Sequence, residues 1–185
     1  MVYILLGQGF EEAEALVTAD ILRRGDVPVS LTGIGGMTVE GAHGIKVAAD
    51  AAAEDVVLTA GDMVVLPGGM GGVASIEGSK EAMELVRQAA ADDSMYLAAI
   101  CAAPAMLARA GLIGKGQQAV CYPGMEGELL SAGAEAPMEQ PAVVCGRLIT
   151  SQAPGTAYDF ALALLAVLAG DGVSAQVRAD LHYRG

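Results

Sequence analysis

The chain has 185 residues, of which 54% are hydrophobic and only 17% are charged, so we expect one domain, residues 1–185, with a large core. Its formal net charge of -12 argues against nucleic acid and against an anionic membrane surface as partners, because both bind proteins through Lys and Arg. The richest apolar run, residues 160–170, is about half the ~20 residues that a membrane-spanning helix needs.

In chain order, the first half of the sequence predicts strands that alternate with helices. Val2–Leu6 is an apolar run typical of a buried strand, and a helix is predicted from Glu11 to Arg24, where Gly25 ends it. A strand at 27–31 follows directly, which makes a right-handed β-α-β unit with parallel strands. The next predicted elements are extended pieces at Thr38–Glu40 and 45–47, a helical turn at 51–56, a strand at Met63–Leu66 and a Ser79-capped helix at Lys80–Ala91.

The second half of the sequence continues this alternation. Residues 95–100 predict a strand, and Pro104 and Gly111 suit the first turn and the end of the helix after it. The remaining predicted elements are a strand at 118–121, a short helix at 125–131, a hairpin of Ala142–Cys145 with Leu148–Ser151, and helices at 155–169 and 173–181. The alternation predicts an α/β doubly wound, mostly parallel sheet sandwiched between helices, with loops 7–14, 67–72 and 100–103 meeting at the ligand-binding edge.

The cysteines and histidines limit the metal and redox chemistry that the chain can carry. Its three cysteines, Cys101, Cys121 and Cys145, are widely spaced and odd in number, which predicts reduced thiols in the cytoplasm, not a disulfide framework. There is no Cys-x-x-Cys pair and there are only two histidines, so we expect neither a metal nor a cofactor. No basic region precedes the apolar Val2–Leu6, so no signal peptide is predicted.

Cys101 stands where the predicted strand at 95–100 meets the next helix. The small residues Ala99, Ala102 and Ala103 surround it, so the backbone can turn sharply there, as at a nucleophile elbow with sulfur in place of oxygen. A helix N-terminus favours thiolate, which predicts a reactive thiol with a lowered pKa. The alternative is an unreactive core cysteine, because free cysteine is among the most buried residue types.

Gly68 and Gly69 directly follow the predicted strand Met63–Leu66 and allow three interpretations. A phosphate loop is the weakest, because no lysine follows at P-loop spacing and G-x-G-x-x-G is absent. The glycines could simply permit a tight turn. They could also form an oxyanion site, in which the N–H groups of Gly69 and Ala102 converge on an oxygen beside the Cys101 sulfur.

Three carboxylates open the first predicted helix. Compensation of the helix dipole is the interpretation we prefer for Glu11 and Glu12. Glu14 lies one turn further on and could point into the same cleft as Cys101. A carboxylate beside a thiolate is a like-charge pair, so one member should keep a proton. The helix dipole at Cys101 favours Glu14 as this protonated partner, which could donate a hydrogen bond to the sulfur and act as a general acid or base.

Several separated stretches, in the same order along the chain, resemble the ThiJ/PfpI family, and most closely the branch of the parkinsonism-associated protein deglycase and its bacterial relatives. These stretches are Val2–Leu6 and residues 9–15, 19–24, 65–69, 98–104 and 150–156. The resemblance implies a flavodoxin-like fold, usually in a homodimer. It also implies that Cys101 is the oxidation-prone cysteine of the family, Glu14 its protonated partner, and Gly69 and Ala102 the adjacent backbone donors.

The resemblance implies several functions, because family members are described as cofactor-independent glyoxalases, deglycases of glycated protein and redox-responsive chaperones. Our leading hypothesis is a cysteine-dependent enzyme that acts on a small reactive aldehyde or on glycated protein. A redox sensor or chaperone that uses oxidation of Cys101 is the alternative. Proteolysis is not expected, because Ala102 stands where the protease branch has His, and the His-Glu pair of the amidotransferase relatives is missing.

Four further residues are candidate pocket neighbours. The resemblance places Tyr122 where the animal deglycase has His, and a tyrosine with a pKa near ~10 is a poor base at neutral pH. It places His43 where relatives often have Arg near the dimer interface, although a plain surface histidine is the simpler interpretation. Gly68 and Arg24 complete this set.

Overall fold

The computed structural model describes residues 1–184. Its strands are β1 (Val2–Leu6), β2 (Val29–Gly33), β3 (Thr38–Glu40), β4 (Lys46–Ala48), β5 (Ala51–Ala52), β6 (Met63–Leu66), β7 (Tyr96–Ile100), β8 (Ala142–Cys145) and β9 (Leu148–Ser151). Its α-helices are α1 (Glu12–Arg24), α2 (Met70–Gly78), α3 (Lys80–Ala91), α4 (Ala103–Arg109), α5 (Glu126–Ser131), α6 (Ala157–Ala169) and α7 (Asp171–Asp180). Ala53–Asp55 and Pro154–Thr156 form short 3₁₀ helices.

A seven-stranded sheet in the order β5-β2-β1-β6-β7-β9-β8 forms the centre of the molecule. Its neighbouring strands are parallel except for β8 and β9, which form an antiparallel hairpin at one edge. The strand order reverses at β1, which lies between β2 and β6, so the loops after β1 and β6 open a crevice at the carboxyl ends of the strands. The predicted α/β doubly wound, flavodoxin-like fold is confirmed.

Helices cover both faces of the sheet. Val64 and Leu66 of β6 point to one face, where they share a buried cluster with residues of α2, α3, α4 and α5. Met63 and Val65 point to the other face, where the cluster includes residues of α1, α6 and α7. Because both faces are buried, the central strands are continuous apolar runs in the sequence. Among residues 1–184, no helix combines the length and the apolarity required to cross a bilayer.

Helix α2 replaces the loop that the sequence predicts after β6. Its first turn contains Gly71 and Gly72, which lower helix propensity. These glycines permit a close approach of two backbones: a Cβ atom on Gly72 would lie 2.6 Å from Phe10 Cα, and one on Gly71 would lie 3.0 Å from the Gln8 carbonyl oxygen. Tertiary packing therefore outweighs local propensity, and α2 is held tightly against the loop after β1.

Two further predicted elements differ from the structure. Within residues 1–184, the predicted strand at 118–121 forms only an isolated β-bridge, between Gln118 and Glu135. Val120 instead donates its N–H to the Thr150 side chain at 2.9 Å, so this segment binds the sheet through a hydroxyl group. The predicted helical turn at 51–56 divides into β5 and a 3₁₀ helix, and the other predicted boundaries agree to within two residues.

Candidate active site

Cys101 occupies a strained turn between β7 and α4. Its φ angle of 66° lies in the left-handed region, which residues other than glycine rarely adopt. Its N–H donates to the Ser151 carbonyl at 3.1 Å, and its carbonyl accepts the Tyr122 N–H at 2.7 Å. Backbone hydrogen bonds on both sides therefore hold the strained residue in place, and the sharp turn that the small neighbours predicted is confirmed.

Two backbone N–H groups face the Cys101 sulfur and favour its ionised form. They belong to Ala102, directly before α4, and to Gly69, directly before α2. Gly69 has a φ angle of 80°, and a Cβ atom there would collide with the Gly9 carbonyl and lie 2.7 Å from the Glu11 nitrogen. Only glycine fits this position, so its backbone N–H is fixed beside the sulfur.

Glu14, in the first turn of α1, reaches the same place from the other side of the crevice. The residue is 1% exposed, and its Oε2 accepts the Gly68 N–H at 2.6 Å. Its Oε1 is also buried and accepts no hydrogen bond of normal geometry within residues 1–184. A Cβ atom on Gly68 would lie 2.8 Å from Glu14 Oε2 and 2.9 Å from Cys101 Sγ. The structure thus brings Glu14, Gly68 and Cys101 together, as the sequence predicts.

The Glu14 carboxyl and the Cys101 thiol titrate as neighbours. Burial raises the pKa of Glu14 to about 7, and the negative charge of Glu11 also raises it. Hydrogen bonds from Gly68 and Cys101 act in the opposite direction and lower it. Burial raises the pKa of Cys101 to about 12, and the charge and hydrogen bond of Glu14 also raise it. The two backbone N–H groups lower this pKa by a smaller amount. The lowered Cys101 pKa predicted from the helix N-terminus is therefore wrong, because burial and the carboxylate outweigh those donors. Near pH 7, the pair of groups therefore loses one proton and keeps the other.

A cavity of about 420 Å³ opens at the Cys101 sulfur. Its lining combines Cys101 and the adjacent backbone donors with apolar side chains and one acidic residue: Glu11, Gly69, Met70, Cys101, Ala102, Tyr122, Met125 and Pro154. The structure thus places Tyr122 beside Cys101, as the sequence predicts. Sequence reasoning missed Met70 because it missed helix α2. The helical spacing of Val73 and Ile76, both buried, is the signal that could have identified that helix.

The other two candidate pocket neighbours lie outside this cavity. His43 has an exposed side chain whose Nδ1 lies 2.8 Å from Glu12 Oε2 and 3.7 Å from Glu11 Oε1. Arg24 pairs with Asp20 at 2.8 Å on the surface. It stands at the far end of α1, about 15 Å along the helix axis from Glu14 at 1.5 Å per residue. The expectation that Arg24 is a pocket neighbour is therefore wrong, since the length of the helix separates it from the site.

Glu11, Glu12 and His43 form a cluster that could hold a metal ion, because their potential ligand atoms all lie within 4.8 Å of one another. The buried residue of this cluster, Glu12, already accepts hydrogen bonds. Its Oε1 accepts the N–H groups of His43 at 2.7 Å and Ile45 at 3.4 Å. Although burial raises the pKa of Glu12, these bonds and that from the His43 ring hold it below its usual value. The cluster anchors the loop between β3 and β4 to α1, and the sequence did not indicate this because 31 residues separate His43 from Glu12.

The other two cysteines lie in different surroundings. Cys121 is completely buried, and burial, with the charge of Glu126, raises its pKa to about 11. Cys145 is partly exposed at the end of β8, and its sulfur accepts the Gln118 N–H at 3.4 Å. All three cysteines are free thiols. Cys101 differs from the other two in lying against the buried Glu14 carboxyl group.

Comparisons with known proteins find similar sequences and similar structures over nearly the whole chain. The model of the DJ-1/PfpI family matches residues 1–167. Protein dj-1beta of Drosophila melanogaster is 36% identical over 168 residues, which cover 90% of this chain and 88% of that protein. Its crystal structure matches with a TM-score of 0.88 at 33% identity, over 100% of this chain and 98% of that one. The glutathione-independent glyoxalase DJR-1.2 of Caenorhabditis elegans is 30% identical over 160 residues, which cover 86% of this chain and 83% of that protein.

Proposed function

Since the chain belongs to the DJ-1/PfpI family, we propose that it is a cysteine-dependent enzyme that isomerises reactive 2-oxoaldehydes, such as methylglyoxal, to 2-hydroxy acids without a metal or cofactor. The observation that carries this proposal is the meeting of a buried carboxyl group and a thiol at the end of an open cavity. Glu14, with a pKa of about 7, suits proton transfer at neutral pH. The name of the Caenorhabditis elegans relative, a glutathione-independent glyoxalase, supports the same chemistry.

The first step is addition of the Cys101 sulfur to the aldehyde carbon. Ionised Glu14 takes the thiol proton as the carbon–sulfur bond forms, and the carbonyl electron pair moves onto oxygen. The backbone N–H groups of Gly69 and Ala102, which already lie at the sulfur, would stabilise this oxyanion. Glu14 then returns the proton to the oxygen, which gives a hemithioacetal and restores the carboxylate.

The second step moves a hydrogen between the two adjacent carbons of the substrate. The Glu14 carboxylate removes the proton from the carbon bound to sulfur, which gives an enediolate whose hydroxyl proton passes to the adjacent oxygen. Glu14 then protonates the neighbouring carbon, which gives a thioester and restores the carboxylate. Water then displaces Cys101 and releases the 2-hydroxy acid. One carbon is oxidised while its neighbour is reduced, so the reaction needs no external oxidant or reductant.

Turnover of methylglyoxal tests this proposal directly. Chelator-treated protein without glutathione should produce lactate, measured by NMR, whereas Cys101→Ser should not. Cys145→Ser is the matched control, because it also removes a partly exposed thiol but lies outside the cavity. Full lactate production by Cys101→Ser, or none by the wild-type protein, would contradict the proposal.

The donors around Cys101 also favour a second candidate function, a redox sensor or redox-regulated chaperone. The N–H groups of Gly69 and Ala102 could hold the oxygens of a sulfinic acid, and neutral Glu14 could donate a third hydrogen bond. Two peroxide molecules would each transfer one oxygen to the sulfur and leave as water.

We therefore expect mild peroxide to add two oxygens mainly to Cys101, as measured by peptide mass mapping. Cys121 should not be oxidised because it is buried. Cys145 should not be oxidised because it lies outside the cavity that contains Cys101. Equal oxidation of Cys101 and Cys145 would mean that exposure alone decides reactivity. Loss of the oxidation in Gly69→Ala would support the proposed role of the backbone donors.

We expect the protein to be a cytoplasmic homodimer that acts on small aldehydes or on glycated protein. The free thiols support the compartment. Beside the active site, Ala13, Leu16 and Ile45, rimmed by Glu11, Glu12 and His43, line a hollow that a second copy could cover. Sedimentation at micromolar concentration should give twice 18.6 kDa, and Ile45→Glu should shift the distribution toward monomer. A single monomeric species across a wide dilution range would contradict this expectation.

A further inference from the structure

We propose that the cavity beside Cys101 selects uncharged carbonyl compounds with an apolar substituent and rejects anionic ones, and that Glu11 is the residue responsible for the rejection. This inference rests on the proposed function for the identity of the reaction. The charge selection itself is a property of the cavity wall, so it can be measured on the Cys101 thiol without any turnover.

The wall of the cavity provides an apolar surface for the substituent on the carbonyl group. Met70 is the first residue of α2, Tyr122 and Met125 come from the segment before α5, and Pro154 follows β9. Met70 is 71% exposed and Tyr122 is 47% exposed, so both present surface that a bound alkyl or aryl group would cover. Methionine adapts to varied shapes, and tyrosine can stack on an aromatic ring.

One acidic residue lines this cavity. Among the described residues, no lysine, arginine or histidine lines the cavity, whereas Glu11 does. The Glu11 side chain is only 16% exposed, and its N–H donates to the Gly68 carbonyl at 3.0 Å, which fixes the residue beside Gly68. A carboxylate or phosphate on a substrate would therefore meet a poorly solvated like charge, with no cation to bind it.

His43 does not cancel the negative charge at the cavity. Its Nδ1 lies 2.8 Å from Glu12 and 3.7 Å from Glu11, so its proton is bound first by Glu12. Even when His43 is protonated, its one positive charge faces the two negative charges of Glu11 and Glu12. The net charge of -12 on the whole chain acts in the same direction at longer range.

Iodoacetamide and iodoacetate test this inference, because they have nearly the same size and differ in charge. The alkylation rate of Cys101 with each reagent is divided by the rate of the same reagent with 2-mercaptoethanol. This normalised rate should be roughly tenfold higher for iodoacetamide than for iodoacetate, which is equivalent to about one pKa unit of charge interaction. Glu11→Gln should reduce this preference several-fold. Glu84→Gln on α3 is the matched control, because it removes an exposed carboxylate outside the cavity, and it should leave the preference unchanged.

A turnover experiment extends the test to substrates. The wild-type protein should convert phenylglyoxal with a higher kcat/KM than para-carboxyphenylglyoxal, and Glu11→Gln should narrow the difference. If neither compound is converted, the proposed function fails, but the alkylation ratio still tests the cavity. Equal normalised rates for the two alkylating reagents, or a Glu11→Gln preference identical to that of the wild-type protein, would overturn the inference.

Discussion

Replacing Glu14 by glutamine should lower kcat/KM for methylglyoxal by roughly 10²–10⁴-fold, the usual contribution of a general acid–base residue. Glutamine keeps the shape of the side chain and an oxygen that can accept the Gly68 N–H. In the wild-type protein the Gly68 nitrogen lies 2.6 Å from Glu14 Oε2. It cannot take a proton from the thiol or from the substrate carbon. The measurement is steady-state lactate formation, and thermal unfolding should show that the variant remains folded.

Glu14→Asp and Glu84→Gln complete this comparison. Aspartate is shorter by one methylene group, so its carboxylate should reach Cys101 poorly and only part of the activity should remain. Glu84→Gln changes an exposed carboxylate on α3 and should retain full turnover. Wild-type turnover in Glu14→Gln would mean that another group moves the proton.

The pH profile of turnover follows from the same residue. Burial raises the pKa of Glu14 to about 7, and only its ionised form can accept the thiol proton. Turnover should therefore be low in acid and rise with pH through a midpoint near 7, as Glu14 loses its proton. Glu14→Gln should lose this rising limb together with the activity.

Replacing Gly68 by alanine should lower kcat/KM by roughly 10²-fold or more, because small displacements of catalytic groups have effects of this size. The added methyl group would lie 2.5 Å from Cys101 Cβ, 2.8 Å from Glu14 Oε2 and 2.9 Å from Cys101 Sγ. It must separate the carboxyl group from the thiol, and the crowding should also lower the free energy of unfolding by about 1–3 kcal/mol.

Gly78→Ala is the matched control for this substitution. Gly78 lies at the end of α2, and a Cβ atom there would meet no atom within 4 Å apart from its chain neighbours and the backbone of its own helix. Alanine also has a higher helix propensity than glycine, so this variant should retain both turnover and stability. Wild-type turnover in Gly68→Ala, measured beside Gly78→Ala, would show that the contact between Glu14 and Cys101 is not needed.

The fold was largely predictable because its signals are local. The central strands are continuous apolar runs that end in glycine or small residues, and Ala99, Ala102 and Ala103 indicated the sharp turn at Cys101. Helix α2 was missed because its glycines have a tertiary purpose: Gly72 permits the close approach of Phe10. Local propensity cannot reveal a contact between residues so far apart in the chain.

The sequence likewise predicted some features of the candidate site and missed others. The order of the motifs placed Glu14, Gly69 and Cys101 at one edge of the sheet, and the structure brings them together. The direction of the Cys101 pKa shift was not predictable, because it depends on burial and on the distance to Glu14. Arg24 was misplaced because its motif is near Glu14 in sequence, whereas the helix carries it to the opposite end of α1.

Covalent capture of the substrate tests most directly whether Cys101 carries the reaction. The protein is mixed with methylglyoxal, quenched in acid within one turnover and mapped by peptide mass spectrometry. We expect an adduct with the mass of one methylglyoxal on the peptide that contains Cys101, formed and consumed as lactate appears. Lactate formation without an adduct on Cys101, or an adduct shared equally between Cys101 and Cys145, would contradict it.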